Sequence, residues 1–436
     1  MPKRLQTSDP GFEQAFAAFL GEKREVTADV DAAVAKIIAD VNARGDVALV
    51  ELSAKFDRVD LGKVGLRVSA QDVRTAFDAC DRETIAALEL ARDRIEDHHR
   101  RQLPVNERYT DELGVELGWR WTAVESAGLY VPGGLASYPS SVLMNAVPAK
   151  VAGVPRLVMV VPAPKGELNP LVLAAARLAG VEEIYRVGGA QAVAALAYGT
   201  QTIAPVAKIV GPGNAYVAAA KRQVFGLVGI DSIAGPSEVL IIADKHNDPE
   251  WIAADLLAQA EHDTAAQSIL MTDDAGFARA VEAAVTRQLA ALPRGNIAGE
   301  SWNVFGAVIE LRTLDEAPAL ADRIAAEHLE IATRDPDKLT DRIRNAGAIF
   351  IGKQTPEMIG DYIAGSNHVL PTARSARFSS GLGVLDFMKR TSLLKLDSGA
   401  LAALAPAAMR LARAEGLEAH RRSAEVRLGN VAQGTS

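Results

Sequence analysis

Arg156-Leu-Val-Met-Val-Val161, closed by Pro162, puts five apolar residues in succession, three of them valine, between a charge and a breaker. Such a short run reads as a strand buried on both faces. Outward from it the pattern alternates: helix Leu171–Ala179, strand Glu183–Val187, helix Gln191–Tyr198, strand Val206–Val210, helix Ala215–Phe225. Apolar strands that end at Gly or Pro and alternate with Ala-rich helices predict a parallel sheet covered by helices. A second set follows: strand Val239–Ala243, helix Pro249–His262, strand Ser268–Thr272, helix Ala275–Leu289, strand Val304–Leu311 and helix Leu314–Ile331. Strand Ala348–Ile351 and helix Pro356–Ile363 continue it. Two α/β units are expected, one of them spanning about residues 129–239. Before them, residues 11 to about 100 read as mostly helical, with Val30, Ala33, Val34, Ile37 and Ile38 at helical spacing and Gly45 as a stop. From about Leu382 the chain reads as a small helical element rich in Ala and Arg.

Composition bounds the function. A chain of 436 residues exceeds one ordinary core. Its 49% hydrophobic and 23% charged residues are those of a globular protein. Net charge is −8, from 47 basic and 55 acidic residues, with no Lys/Arg block, which argues against nucleic acid or an anionic membrane as partner. No apolar run approaches the ~18 residues of a membrane span, and no apolar leader follows Met1-Pro-Lys-Arg-Leu5, so a cytoplasmic location is expected. Cys80 is the only cysteine, which leaves no disulfide and no thiolate metal site within the chain. It lies in the charged stretch Asp72–Ala91 without a neighbouring His and reads as an ordinary packed residue. His98 and His99, in the charged run Arg92–Arg101, read as a solvated helix face, and His246 in the turn Asp244–Asp248 as solvent-exposed.

Four of the seven histidines share a pattern, each lying within seven residues of a carboxylate or amide: Gln259/His262, Glu327/His328, Asp361/His368 and Glu415/His420. Imidazole with oxygen ligands suits a divalent metal such as zinc, and His beside Glu suits acid–base work. In helix Pro249–His262 the stripe Ile252, Leu256 continues to Gln259, and His262 follows three further on. In Leu314–Ile331, which Thr313-Leu-Asp-Glu316 would cap, Glu327 falls among Leu320, Ile324 and Ile331 and should have a raised pKa. Singly, Gln259/His262 reads better as a buried hydrogen bond and Glu327 at least as well as a salt-bridged helix end, and each site is weak. Jointly they favour a catalytic metal site.

Three glycine turns could hold phosphates: Val131-Pro-Gly-Gly-Leu-Ala136, Val187-Gly-Gly-Ala-Gln191 and Val210-Gly-Pro-Gly-Asn-Ala-Tyr216. None is a dinucleotide fingerprint, since Tyr216 stands where the third glycine of Gly211-x-Gly213 is needed. Any one alone is an ordinary β–α connection. Three together raise a nucleotide or phosphate site beside that reading, with Tyr130, Gln191 and Asn214 as flanking contacts.

These residues carry a resemblance to a known family. Tyr130-Val-Pro-Gly-Gly-Leu-Ala-Ser-Tyr-Pro-Ser-Ser141, Gly211-Pro-Gly-Asn-Ala-Tyr216, Ile230-Asp-Ser-Ile-Ala-Gly-Pro-Ser-Glu238, Gln259-Ala-Glu-His-Asp263, Ala326-Glu-His-Leu-Glu330 and Gly365-Ser-Asn-His-Val-Leu-Pro371 are similar to histidinol dehydrogenases, with no departure at a motif position. The resemblance runs from about residue 20 to 428. It implies oxidation of L-histidinol through the aldehyde to L-histidine, the last steps of L-histidine biosynthesis, with two NAD reduced and one zinc per site. By that resemblance Gln259, His262, Asp361 and His420 hold zinc, and Glu327 and His328 are catalytic. Ser237, Gln259, His262, His328, Asp361, His368, Glu415 and His420 bind substrate, while Tyr130, Gln191 and Asn214 contact NAD. The implied fold is α/β, with two Rossmann-like parallel-sheet domains, an N-terminal helical arm (1–25) and a small C-terminal helical segment (382–436) exchanged in a homodimer. Residues 26–128 with 240–381 would form the domain of metal and catalysis, and 129–239 that of NAD.

The chemistry then has a definite expected form. His328 takes the alcohol proton in the first oxidation, and Glu327 activates water on the aldehyde in the second. A thiol route would need a cysteine in the site, and Cys80 is in the wrong context. Zinc would anchor substrate. A zinc hydrolase using Glu327 leaves the glycine turns without a purpose. A non-catalytic binding protein leaves the Glu327/His328 pair without one.

Overall fold

The side chains of Leu157–Val161 offer no polar face to water, and all five are buried in a strand, Arg156–Val161, paired on both edges. The computed structural model describes all residues except 23–27, 134–137, 234 and 434–436. In it this strand belongs to a five-stranded sheet ordered Glu183–Arg186, Arg156–Val161, Ser126–Tyr130, Lys208–Val210, Gly229–Ile230, with every neighbouring pair parallel. Helices Gly189–Tyr198 and Ala215–Val224 share one apolar core with helices Ala28–Arg44 and Asp46–Phe56, through Val34, Val41, Leu49, Val193, Leu196 and Val217. Residues 28–56, grouped from sequence with 240–381, therefore bury their apolar side beside the five-stranded sheet. The expected boundary between residues 25 and 26 lies outside the described residues.

The second set of alternating elements makes a six-stranded parallel sheet ordered Lys3–Gln6, Ala307–Glu310, Gln267–Thr272, Glu238–Ala243, His328–Ala332, Ala348–Ile351. One face packs on Phe12, Phe16, Leu320 and Ile324, the other on Ile252, Leu256, Phe277 and Trp302. The N-terminal arm contributes helix Phe12–Gly21 and, ahead of it, the edge strand Lys3–Gln6.

Residues 1–102 and 125–387 form one compact unit containing both parallel sheets, and 103–124 with 388–436 form another. The smaller unit has an antiparallel sheet, Met388–Lys395 beside Glu116–Ala123 beside Glu107–Thr110, and helices Ser398–Ala414 and Glu418–Gln433. The C-terminal region is thus largely helical as expected. Strand Met388–Lys395 escaped the periodicity because it pairs outside its own neighbourhood, with residues 116–123.

The main local departure lies at Leu314–Ile331. Its helix ends at Ile324, where Ala325 turns into the left-handed region (φ +50) and its N–H closes on the Ala321 carbonyl. Thr313 makes no side-chain cap, and Leu314–Glu316 is a 3₁₀ turn. His328–Ala332 is then a strand held by ladders to Glu238–Ala243 and Ala348–Ile351. Two ladders outweigh the weak helical preference of five residues. Strand Ala307–Glu310 is also shorter than expected, because helix Gly295–Phe305 runs through Val304. His99 is fully buried rather than solvated, its Nδ1 2.7 Å from the Ile95 carbonyl, while His98 and His246 are exposed.

Candidate active site

Glu327 and His328 stand at the amino edge of the six-stranded sheet, where the chain enters strand His328–Ala332. The register sets His328 opposite Val239 and Ala348. Glu327 is 6% exposed and its Oε2 accepts the Glu238 N–H at 3.1 Å. Burial pushes its carboxyl up to about 7, against the opposing pull of His328. His328 is 4% exposed. Its Nδ1 lies 3.3 Å from the Glu238 carbonyl, 3.6 Å from Glu357 Oε1 and 3.8 Å from Glu327 Oε2, and its Nε2 lies 3.3 Å from Asp361 Oδ1. Burial alone would depress this imidazole, but the carboxylates of Glu357, Glu327 and Asp361 raise it well above its ordinary value. Carboxyl and imidazole are thus both tuned toward proton transfer near neutrality or above it.

Glu357 is a member of this cluster that the sequence reading missed. Together, His328, Glu357 and Asp361 bring one ligand atom each to within 4.8 Å of one another, a grouping able to hold a metal ion. Helix Glu357–Tyr362 carries both acids, one turn apart, and that spacing was the available signal. The Glu357 N–H donates to Glu330 Oε1 (2.7 Å), which fixes the start of the helix. Buried beside other acids, Glu357 is pushed up to about 8. Burial also acts to raise Asp361, yet its bond to His328 and the nearby His368 and His262 hold it below the usual value.

The other expected ligands divide. Gln259 continues the Ile252–Leu256 stripe at the end of helix Pro249–Ala260 and is wholly buried. Among the described residues, neither end of its amide has a hydrogen-bond partner. An orphaned buried amide costs about 1–3 kcal/mol, so this side chain fits a ligand role. His262 follows in the turn, its N–H on the Gln259 carbonyl. It is reachable by solvent, yet recessed enough that desolvation lowers its pKa while Asp361 pulls the other way. Amide, imidazole and carboxylate oxygen suit zinc, so the residues present fit that ion.

His368 closes the loop Gly365–His368, where Gly365 adopts φ +109 and a Cβ would stand 2.7 Å from the Arg94 carbonyl. His368 Nδ1 lies 3.0 Å from the Asp361 carbonyl and Nε2 lies 3.2 Å from Ser141 Oγ. Ser237 is half-buried just before strand Glu238–Ala243, its carbonyl accepting the Gln267 N–H. Glu415 and His420 are exposed in the smaller unit, at the end of helix Ser398–Ala414 and within helix Glu418–Gln433. Cys80 donates weakly to the Ala76 carbonyl, and burial raises its pKa, the opposite of an activated thiol.

The glycine turns lie at the carboxyl ends of the five-stranded sheet. Strand order reverses between Ser126–Tyr130 and Lys208–Val210, and ligands of open α/β sheets bind in the crevice at such a reversal. Tyr130 is 4% exposed, burial pushes its hydroxyl up to about 12, and that hydroxyl accepts the Gly189 N–H (2.9 Å). Its ring is therefore packed rather than presented for stacking. Gln191 is buried in the first turn of helix Gly189–Tyr198. Asn214 caps helix Ala215–Val224 by accepting the Tyr216 and Val217 N–H groups. A Cβ at Gly211 would stand 2.2 Å from the Tyr130 carbonyl, and one at Gly213 2.5 Å from Val217, so both positions of this turn need glycine. Of the turn at Val131, residues 134–136 lie outside the described residues.

Comparison with known proteins agrees with this architecture. The family model described as histidinol dehydrogenase matches residues 21–428. The histidinol dehydrogenase of Bradyrhizobium diazoefficiens is 71% identical over 428 residues, covering 98% of this chain and 99% of that protein. That of Brucella suis biovar 1 is 69% identical over 428 residues, covering 98% and 100%. The crystal structure of histidinol dehydrogenase from Elizabethkingia anophelis superposes with a TM-score of 0.94 at 34% identity, covering 99% of this chain and 98% of that one. With its buried Glu327–His328 pair, its acid cluster and its glycine turns, the chain belongs to the histidinol dehydrogenase family, a family of NAD-dependent oxidoreductases.

Proposed function

We propose that this protein is a zinc-dependent L-histidinol dehydrogenase that oxidises L-histidinol through L-histidinal to L-histidine, with two NAD reduced per turnover, at the end of L-histidine biosynthesis. The observation that carries the reading is the buried Glu327–His328 pair set against Asp361 and Glu357 at one sheet edge. When bound, zinc would supply a Lewis-acidic anchor for substrate nitrogens, and NAD would accept hydride. Gln259, His262 and Asp361 would hold zinc, with His420 completing the set.

The remaining chemistry falls to the chain's own side chains. In its neutral form His328 takes the hydroxyl proton of the alcohol as hydride leaves carbon. Its carboxylate neighbours make it a stronger base and also keep it protonated to higher pH, so this step is favoured on the alkaline side. Glu327 takes a proton from the water that adds to the aldehyde, so that the hydrate can lose a second hydride. His368, held between Asp361 and Ser141, and Ser237 contribute to the substrate pocket. Tyr130, Gln191 and Asn214 shape the turns on which NAD lies.

Glu415 and His420 would reach the site from the partner in a homodimer. Leu404, Leu411 and Val426 on the two helices, and Leu417 in the turn between them, are exposed and would gain burial against a second copy. Among the described residues no helix is long and apolar enough to cross a membrane, and a cytoplasmic site of action is proposed. The test is to supply purified protein with L-histidinol and NAD and measure both products. Two NADH per histidine formed supports the reading, whereas one NADH with accumulating aldehyde contradicts it.

A further inference from the structure

Two charged side chains buried in the 129–239 segment take no part in the chemistry above. Lys221 and Asp231 form an ion pair with side chains 2% and 5% exposed. Lys221, on helix Ala215–Val224, donates from Nζ to the Gly211 carbonyl (2.9 Å). Asp231, just beyond strand Gly229–Ile230, accepts the Gly211 N–H on Oδ2 (2.8 Å). Donor and acceptor of one residue are thus gripped by the two members of one ion pair. The gripped residue is the one whose φ of +111 and 2.2 Å approach to the Tyr130 carbonyl exclude any side chain.

Stability is a poor reason for such a pair. Burying each charge costs several kcal/mol, and apolar residues of similar volume often do as well or better. What an apolar pair cannot do is hold both the N–H and the C=O of Gly211. We propose that Lys221 and Asp231 are positioning residues for dinucleotide binding: they lock the turn Gly211–Asn214, and with it the N-terminus of helix Ala215–Val224, in the form that receives the pyrophosphate. The proposal rests on placing NAD at this turn. Lys221 itself, neutralised by Asp231 and sealed from solvent, is no phosphate ligand.

The decisive variant is the apolar replacement K221M/D231L. It should still fold, with a thermal midpoint lowered because the Gly211 N–H and C=O lose their buried partners. Its Kd for NAD, titrated without histidinol, should rise about 10-fold or more, while KM for histidinol stays within about 2-fold. A folded double variant with unchanged NAD affinity overturns the proposal. Should the double variant not fold, D231N, which keeps an oxygen for the Gly211 N–H, should show a smaller rise confined to NAD. An equal rise for both substrates, or none for either, counts against the clamp. Hydrogen exchange of residues 209–216 in the natural chain separates the layers: protection by NAD supports the placement, and its absence overturns the placement itself.

Discussion

Gly347 gives the sharpest test of how Glu327 is placed. A Cβ at this position would stand 2.5 Å from the Glu327 carbonyl oxygen and 3.2 Å from Pro371 Cδ. Carbon and oxygen approach comfortably at about 3.3 Å, so Gly347→Ala must open this contact by about 0.8 Å. Neither side can yield alone. The Gly347 N–H is bonded to the Ala326 carbonyl (3.0 Å) and the Ala348 N–H to the Glu327 carbonyl (2.9 Å), so the shift passes into residues 326–328. Overpacking of this kind costs about 1–3 kcal/mol of stability. A misplacement near 1 Å can cost about 100-fold in rate, so kcat should fall by about 10- to 100-fold. Gly352→Ala is the control: its φ of +90 strains any side chain, by about 1–3 kcal/mol, but nothing lies within 4 Å of the new Cβ. Thermal unfolding and NADH formation by both variants make the comparison. Similar losses of stability, with kcat lost only in Gly347→Ala, are expected. A Gly347→Ala variant with kcat within about 2-fold of the natural chain would refute the reasoning.

Other perturbations reach different parts of the site. Gln259→Met removes a buried amide without partners, so the metal-free variant should be about 1–3 kcal/mol more stable than the metal-free natural chain, by chemical denaturation. The same variant should bind zinc about 10-fold or more weakly in competition with a chelator; unchanged zinc affinity would remove Gln259 from the ligand set. Glu327 works as a base only when deprotonated, and its carboxyl lies at about 7, so oxidation of supplied L-histidinal should rise with pH through about 7 and level off above. Glu327→Gln should be slow and lack that rise; retention of the rise assigns it to another group. Cys80→Ser should leave turnover intact, and a dead variant would reinstate a thiol route.

What the sequence made legible follows from what each signal measures. Strands Arg156–Val161 and Ala348–Ile351 and helix Ala275–Leu289 have the expected ends, because local patterning and breakers suffice there. Glu327 and His328 stand out as a pair but were set on a helix. Leu320, Ile324 and Ile331 fit helical spacing, and only the ladders from residues 238–243 and 348–351 impose the strand. The error mattered for chemistry, since a strand sets His328 and Glu330 on one face and Leu329 on the other. Glu357 was missed because an acid at a helix start is usually a solvated favourable charge; only the fold carries it to 3.6 Å from His328. Lys221 and Asp231 were invisible for the same reason, being common residue types whose burial comes from tertiary packing alone. Tyr130 was read as a flanking contact of the glycine turns, and only the fold shows its ring buried and its hydroxyl accepting the Gly189 N–H.

The central claim joins one metal to one pair of proton-transfer groups in a single oxidation of histidinol. The most direct measurement is NADH absorbance on mixing purified protein with L-histidinol and NAD, before chelation, after it, and after zinc is restored. The account predicts two NADH per histidinol consumed, loss of turnover on chelation and recovery with zinc. Histidinol-dependent NADH formation that is untouched by complete removal of metal, or no NADH at all from the zinc-loaded protein, would contradict it.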